Sequence, residues 1–215
     1  MSRTDRTGKR TLRQAALKRK TLLGYYYVFT DTRKTEKNYL LGLKESLPPE
    51  LRNRLVIKIT KSKTENLLES CLNQAALEPQ YGEPWIVFDR DRVVKFDEII
   101  KTAQEKGINV GWSNPCIEVW FEAYFGLMQS DYESKSCCKR FSQIFQNNTG
   151  KEYDKADKNL YYYLNLYGDE KQAIITAEKR YCNHEKSKII KPSQMCPGTT
   201  LHRLIAQIRE KTESE

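Results

Sequence analysis

Between residues 24 and 125 short apolar runs alternate with segments whose apolar residues recur every three or four positions. Tyr25 to Thr30, preceded by Gly24, is aromatic and β-branched throughout, which predicts a strand buried on both faces. From Thr35 the residues Tyr39, Leu40, Leu43 and Leu47 recur at helical spacing, and Pro48-Pro49 ends that helix. Leu55 to Thr60 reads as a second strand, followed by a helix from Thr64 to about Leu77 with Leu67, Leu68, Cys71, Leu72 and Ala75 on one side. Pro84 to Asp89 is a third strand, Asp97 to Lys106 a helix, and Ile108 to Trp112 a fourth strand. Pro115 to Phe125 is then a helix whose Ile117, Trp120, Phe121, Tyr124 and Phe125 share a face. Strands and helices alternating at this length imply an α/β fold: a mainly parallel, right-handed sheet of about four strands covered on both sides.

Beyond residue 126 the pattern changes. Gln129 to Lys139 is polar without a clear period, Phe141 to Phe145 predicts a short helix, and Asn147 to Gly150 reads as a turn. Leu160 to Tyr167, Gln172 to Tyr181 and Thr200 to Ile208 carry apolar residues at mixed helical spacing, separated by Gly168 and by the loop Lys191 to Gly198. Three segments follow: a basic arm over 1–22, an α/β core over 23–126, and a helical subdomain over 127–215 packed on the core. No internal repeat is visible.

Composition narrows the function classes. Hydrophobic residues are 39% of 215, yet no apolar run approaches the roughly 20 residues of a membrane-crossing helix, so the expectation is a soluble protein with no membrane partner. The formal charge of +9 points towards polyanions, but its placement matters more than its size. Residues 1–20 hold eight Lys and Arg against Asp5 alone, a surplus of seven, and leave the rest of the chain near +2. The arm has neither an apolar core nor a small-residue cleavage site, so it is not read as a secretory signal and the expected location is cytoplasmic. It is either a solvated tail or a phosphate-tracking arm. The six cysteines are accordingly read as free thiols, and with no C-x-x-C pair and only His184 and His202 as imidazoles, no zinc site is expected. Cys182 and His184, neighbours on one segment, are not placed to face each other as a catalytic pair.

In parallel sheets functional groups collect beyond the carboxyl ends of the strands. Asp89-Arg90-Asp91 follows the third strand directly, and in extended geometry its two carboxylates point to one side. Such oxygen ligands suit Mg²⁺, which takes one or two carboxylates and keeps waters for substrate phosphates; a helix cap at either aspartate accounts for the same motif. Asp31 ends the first strand and Glu36 opens the next helix. If strands one and three are neighbours, Asp31, Glu36, Asp89 and Asp91 form a self-repelling cluster that needs a metal or basic groups. Lys34, Lys61, Lys63, Arg90 and Arg92 stand at or near the same edge, and carboxylates for metal beside cations for phosphate are the requirements of a phosphodiester site. Asn114 as N-cap with Pro115 at the first helical position would start the helix that carries Glu118, a further metal ligand, a base, or a complement to the helix dipole. Ser113 has no nearby histidine, which argues against a serine hydrolase.

Thr35-Glu36-Lys37-Asn38-Tyr39, Val87-Phe88-Asp89-Arg90-Asp91 and Ser113-Asn114-Pro115-Cys116-Ile117-Glu118-Val119-Trp120, in that order and spacing, closely resemble the signature blocks of the RloB family, as does Pro197-Gly198-Thr199-Thr200. The resemblance runs from about Tyr25 to the end. It implies a Toprim-like fold with a C-terminal helical extension, Mg²⁺ or Mn²⁺ as cofactor, an RNA or DNA substrate (tRNA among them), and an ABC-type ATPase partner in an anti-phage abortive-infection or restriction locus. A homodimer is compatible with it. Asp89 and Asp91 match the metal pair, with Asp31 as a further ligand or catalytic acid, and Glu36 and Glu118 match acids of the family blocks. Two positions depart: Asp31-Thr32 stands where the family has Glu-Gly, and Tyr124 where a histidine is common. The first departure leaves three outcomes open: a small shift in the metal, a transfer of the role to Glu36, or a weakened or abolished nuclease; the alternative function is a non-catalytic sensor or regulatory subunit that binds the ATPase or a phage protein.

Overall fold

The computed structural model describes residues 26–30, 34–59, 64–77, 82–91 and 93–213. The basic arm, Asp31, Lys61, Lys63 and Arg92 lie outside the described residues. Five strands form one sheet in the order β2-β1-β3-β4-β5: β1 (Tyr26–Thr30), β2 (Leu55–Ile59), β3 (Glu83–Asp89), β4 (Asn109–Asn114) and the two-residue β5 (Gly198–Thr199). The first four are parallel, as the alternating pattern predicts, and β5 adds an antiparallel edge. β5 was not foreseen, because two residues in a loop carry no periodicity.

The central strand shows why the sheet forms. All five residues of β1 are buried, and their alternation sends Tyr26 and Val28 into one apolar cluster and Tyr27 and Phe29 into the other. β3 divides the same way, with Trp85 and Val87 on the first face and Ile86 and Phe88 on the second. α1 (Thr35–Ser46) covers the first face, together with helices from later in the chain; α3 (Leu67–Leu77) and α4 (Phe96–Glu105) cover the second. A short α2 (Pro49–Arg52) starts at the second proline of the Pro48-Pro49 stop, with Pro49 at its first position, where a missing N–H costs nothing.

Several boundaries differ from expectation. Asn114 is the last residue of β4 and Pro115 follows it through a cis bond, so neither starts a helix; α5 spans Glu118–Ala123. Asn114 is fully buried, and its Nδ2 donates to the carbonyls of Pro192 and Ser193, 3.0 Å each, tying β4 to the loop before β5. The polar stretch expected to be irregular is helical from Ser134, because α6 (Ser134–Thr149) buries only the narrow stripe Cys137, Phe141, Phe145 and Thr149. The turn signal at its end marks the stop: Gly150 takes φ 69°, the left-handed conformation that glycine adopts freely. α7 (Leu160–Tyr167), α8 (Glu170–Lys186) and α9 (Leu201–Glu213) complete the chain, the last two longer than their apolar residues indicate.

These C-terminal helices share one core with the sheet. Trp120 and Phe121 of α5, Phe141 and Phe145 of α6, Leu164 of α7 and Leu204 and Ile208 of α9 belong to the same buried cluster as Tyr26 and Val28. Each large apolar side chain so placed contributes about 1.5–3 kcal/mol. Among the described residues no helix is long and apolar enough to cross a membrane.

Candidate acidic site at the carboxyl edge of the sheet

β1 lies between β2 and β3, so the chain leaves it in one direction to reach β2 and returns on its other side for β3. The gap beyond the carboxyl ends of β1 and β3 is thus the point where strand order reverses, the usual place for a ligand crevice in open α/β sheets. The register sets Thr30 opposite Val87, so β3 runs two residues further and delivers Asp89 beyond the end of β1. α1 returns over this gap and buries Glu36 in its first turn.

The carboxyl groups of Glu36 and Asp89 are neighbours there, close enough for Glu36 to act on the ionisation of Asp89. Asp89 is partly exposed as a residue, but its carboxyl group is turned inward, and burial raises its pKa well above the usual carboxylate range. The charges of Glu36 and Glu118 push it further the same way, and the Ile117 backbone N–H opposes them. Two neighbouring buried carboxyl groups disfavour each other's ionisation unless a cation neutralises them.

Asp91 is not part of this pair. β3 ends at Asp89; the N–H groups of Arg90 and Asp91 donate to Ser113 O at 2.8 Å and Pro115 O at 3.1 Å, turning the chain out of line and leaving Asp91 exposed. The shared direction expected of Asp89 and Asp91 requires a strand that continues through Asp91, and the turn removes it. Lys34 is exposed at the start of α1, and Arg90 is half-buried beside the carboxyl end of β3.

Glu118, fully buried in the first turn of α5, is the third acid. Its Oε1 accepts from Tyr153 Oη at 2.9 Å and pairs with Lys155 Nζ at 2.8 Å. Burial alone would raise its pKa, but the Lys155 charge and hydrogen bond, with help from Cys116 and Tyr153, hold it below the ordinary glutamate value. Its Oε2 is buried with no hydrogen-bond donor among the described residues. Glu122, one turn later and equally buried, is different: Arg140 Nε donates to its Oε1 at 2.8 Å and Gln129 N to its Oε2 at 3.2 Å, so both oxygens are satisfied. Glu122 is structural, and Glu118 keeps an acceptor in reserve.

Sequence reasoning missed Tyr153 and Lys155. They stand in the polar segment 150–159, where charged residues read as solvated loop, and only the packing of α6 and α7 brings them to α5. It also missed a thiol cluster: Cys116 Sγ, Cys138 Sγ and a Glu118 oxygen lie within 4.8 Å of one another. Donation to Cys137 and Cys138, then burial, raises the Cys116 thiol, whereas accepting from Cys116 lowers Cys138. The Lys155 ammonium bonds both Glu118 and Cys138, so the cationic position of this cluster is already filled by the protein.

Other expectations resolve simply. The described structure contains no disulfide, and Cys182 Sγ lies on Glu178 while His184 Nε2 meets Pro197 O at 2.9 Å, so they do not form a pair. Ser113 Oγ faces Thr199 Oγ1 at 3.3 Å with no imidazole. Tyr124, at the position of a common family histidine, is buried with its hydroxyl 2.9 Å from Tyr39 Oη and 3.2 Å from Glu170 Oε2.

The three acids Glu36, Asp89 and Glu118 are oxygen donors of the kind a hard divalent cation takes, but their ligand atoms are not gathered within 4.8 Å of one another; among the described residues only Cys116, Glu118 and Cys138 are so placed. No curated protein and no solved structure matches the chain. A family model described as RloB-like protein matches residues 26–208, and that span contains all three acids. The chain belongs to the RloB-like family.

Proposed function

We propose that this protein is a Mg²⁺- or Mn²⁺-dependent nuclease of Toprim type, the effector of an anti-phage defence pair controlled by an ABC-type ATPase. The observation that carries the reading is the Glu36–Asp89 carboxyl pair at the point of strand-order reversal, with the Glu118 charge beside it. Without a cation, burial and the neighbouring acids favour the protonated form of Asp89. Glu36 and Asp89 would hold the cation, with the ionised Glu118 beside them. A bound Mg²⁺ supplies neutralisation of phosphate charge and a more acidic water. Lys155 and Tyr153 keep Glu118 ionised and fix its orientation, which leaves its free oxygen able to accept a proton at this edge. Lys34 and Arg90 are the described cations available to phosphate oxygens.

Purified protein incubated with RNA and DNA, single- and double-stranded, in Mg²⁺, Mn²⁺ or EDTA tests this directly. Metal-dependent cleavage is expected, reduced at least about a hundredfold in Asp89→Asn and in Glu36→Gln. Sequencing of RNA ends after induced expression should give discrete new ends in the wild type only. The exposed position of Asp91 favours a second reading, a non-catalytic subunit that binds the ATPase or a phage protein. Toxicity in cells that survives Asp89→Asn and Glu36→Gln, without any cleavage in vitro, would establish that reading in place of the nuclease.

A further inference from the structure

A cleft of about 780 Å³ opens between α1, α7 and α9, within the size range of small-molecule sites. It shares its walls with the acidic site. Glu36 of α1 belongs to that site and the next residue, Lys37, lines the cleft. The segment 150–159 sends Tyr153 and Lys155 to Glu118 and then places Lys158 in the cleft. Asn38 Nδ2 donates to Ala156 O at 2.9 Å, pinning the two walls together between site and cleft.

The lining combines three chemistries. Tyr162 presents an aromatic ring, 60% exposed, with Leu41 at 37% on the facing helix. Lys37 and Lys158 have no ion-pair partner among the described residues, whereas the cleft's acid, Glu45, is held by Arg52 at 3.2 Å. Asn159 and Asn165 add amides at the α7 side. The floor is rigid: Arg209 is locked by Glu170 at 2.6 Å and by Tyr161, and α1 meets α7 so closely that a Cβ on Gly42 would stand 2.4 Å from Tyr161 Cβ. An exposed ring, two uncompensated cations and side-chain amides are what stack, neutralise and hydrogen-bond a nucleotide.

We propose that this cleft binds one unpaired nucleotide of a single-stranded nucleic acid whose neighbouring phosphodiester lies at the Glu36–Asp89 pair, an assignment that rests on the nuclease reading. The base stacks on Tyr162 against Leu41, and Lys37 and Lys158 take the flanking phosphates. A paired base has both faces stacked and its edge engaged, so a duplex cannot enter in this way.

The test uses the full chain in EDTA with fluorescein-labelled 12-nucleotide RNA and DNA, single-stranded and duplex, read by anisotropy. Single strands should bind, the RNA and DNA arms identifying which sugar is preferred. Tyr162→Ala should weaken single-strand binding by about five- to a hundredfold and leave duplex binding unchanged. Lys158→Gln should weaken it and lower the slope of log affinity against log salt by about 0.7. Both side chains are exposed, and unchanged thermal unfolding verifies that the fold is intact. Single-strand affinity unaltered by both substitutions overturns the proposal, including the case in which the cleft serves a protein partner. The two readings fail separately: metal-dependent cleavage with a KM insensitive to Tyr162→Ala removes the subsite and keeps the nuclease, while Tyr162-dependent binding without cleavage under any metal keeps the subsite and removes the nuclease.

Discussion

Glu118 concentrates the electrostatics of the site in one side chain. It is fully buried, and a buried carboxylate stays charged only if partners replace the lost water. Lys155 is the partner that carries charge, from a position that is half exposed. Lys155→Met therefore leaves an uncompensated acid in the core, and the expected loss of stability is about 1–3 kcal/mol, less than for a fully buried pair because Lys155 itself is partly solvated. In a Glu118→Gln background the same substitution should cost little, because there is no buried charge to strand. Urea unfolding of the four proteins of this double-mutant cycle measures the coupling. Equal costs of Lys155→Met in both backgrounds would show that the pair does not stabilise Glu118. Asp89 and Glu118 were readable as candidates because both fall at the carboxyl edge of the sheet, where functional groups collect. Lys155 was not, since a lysine in a polar loop looks the same whether it is solvated or reaches back 37 residues.

The strands and helices up to residue 114 were legible because each has one clear period. Buried runs such as Tyr26 to Thr30 have no polar face, and the amphipathic Phe96–Glu105 buries Phe96, Ile99, Ile100 and Ala103. What was lost is what long-range contacts decide: the extension of β4 through Asn114, the β5 edge, and the narrow stripe of α6. The α8–α9 contact is a further case. His202 is buried on α9, with its Nε2 2.5 Å from Glu178 Oε2 of α8, and Arg203 adds a second cation to Glu178. Burial, then the Arg203 charge, lowers the His202 pKa, although Glu178 opposes them. For Glu178 burial acts upward but is outweighed by His202 and Arg203, so its pKa falls below the ordinary value. Both folded-state values are depressed, so both groups favour the fold above their unfolded pKa values. Stability should decline as pH falls below about 6.5, where the unfolded chain binds the imidazole proton first, and further near 4.3 as its glutamate follows. Tm measured from pH 7.5 to 5.5 should fall less in His202→Gln than in wild type; parallel curves would refute the assignment.

Charge over the full chain divides by location in a way that affinity measurements can resolve. The body holds a surplus near +2, with its cations set around an acidic crevice and along the α1–α7 cleft, whereas residues 1–20 carry a surplus of seven. Most of the positive surplus and the acidic site therefore lie on separate parts of the chain. On the proposed function the arm would add long-range, sequence-independent attraction, which salt screens, and the cleft stacking, which salt barely touches. Deleting residues 1–22 should lower the salt slope of single-strand binding by up to about 5, the value if every surplus charge meets a phosphate, and leave the Tyr162→Ala effect at its original size. Anisotropy titrations from 50 to 300 mM KCl, with the two changes alone and combined, separate the contributions. An unchanged slope after deletion would mean that the arm is a solvated tail. A Tyr162→Ala effect that vanishes with the arm would mean that stacking depends on the arm bringing the strand to α7.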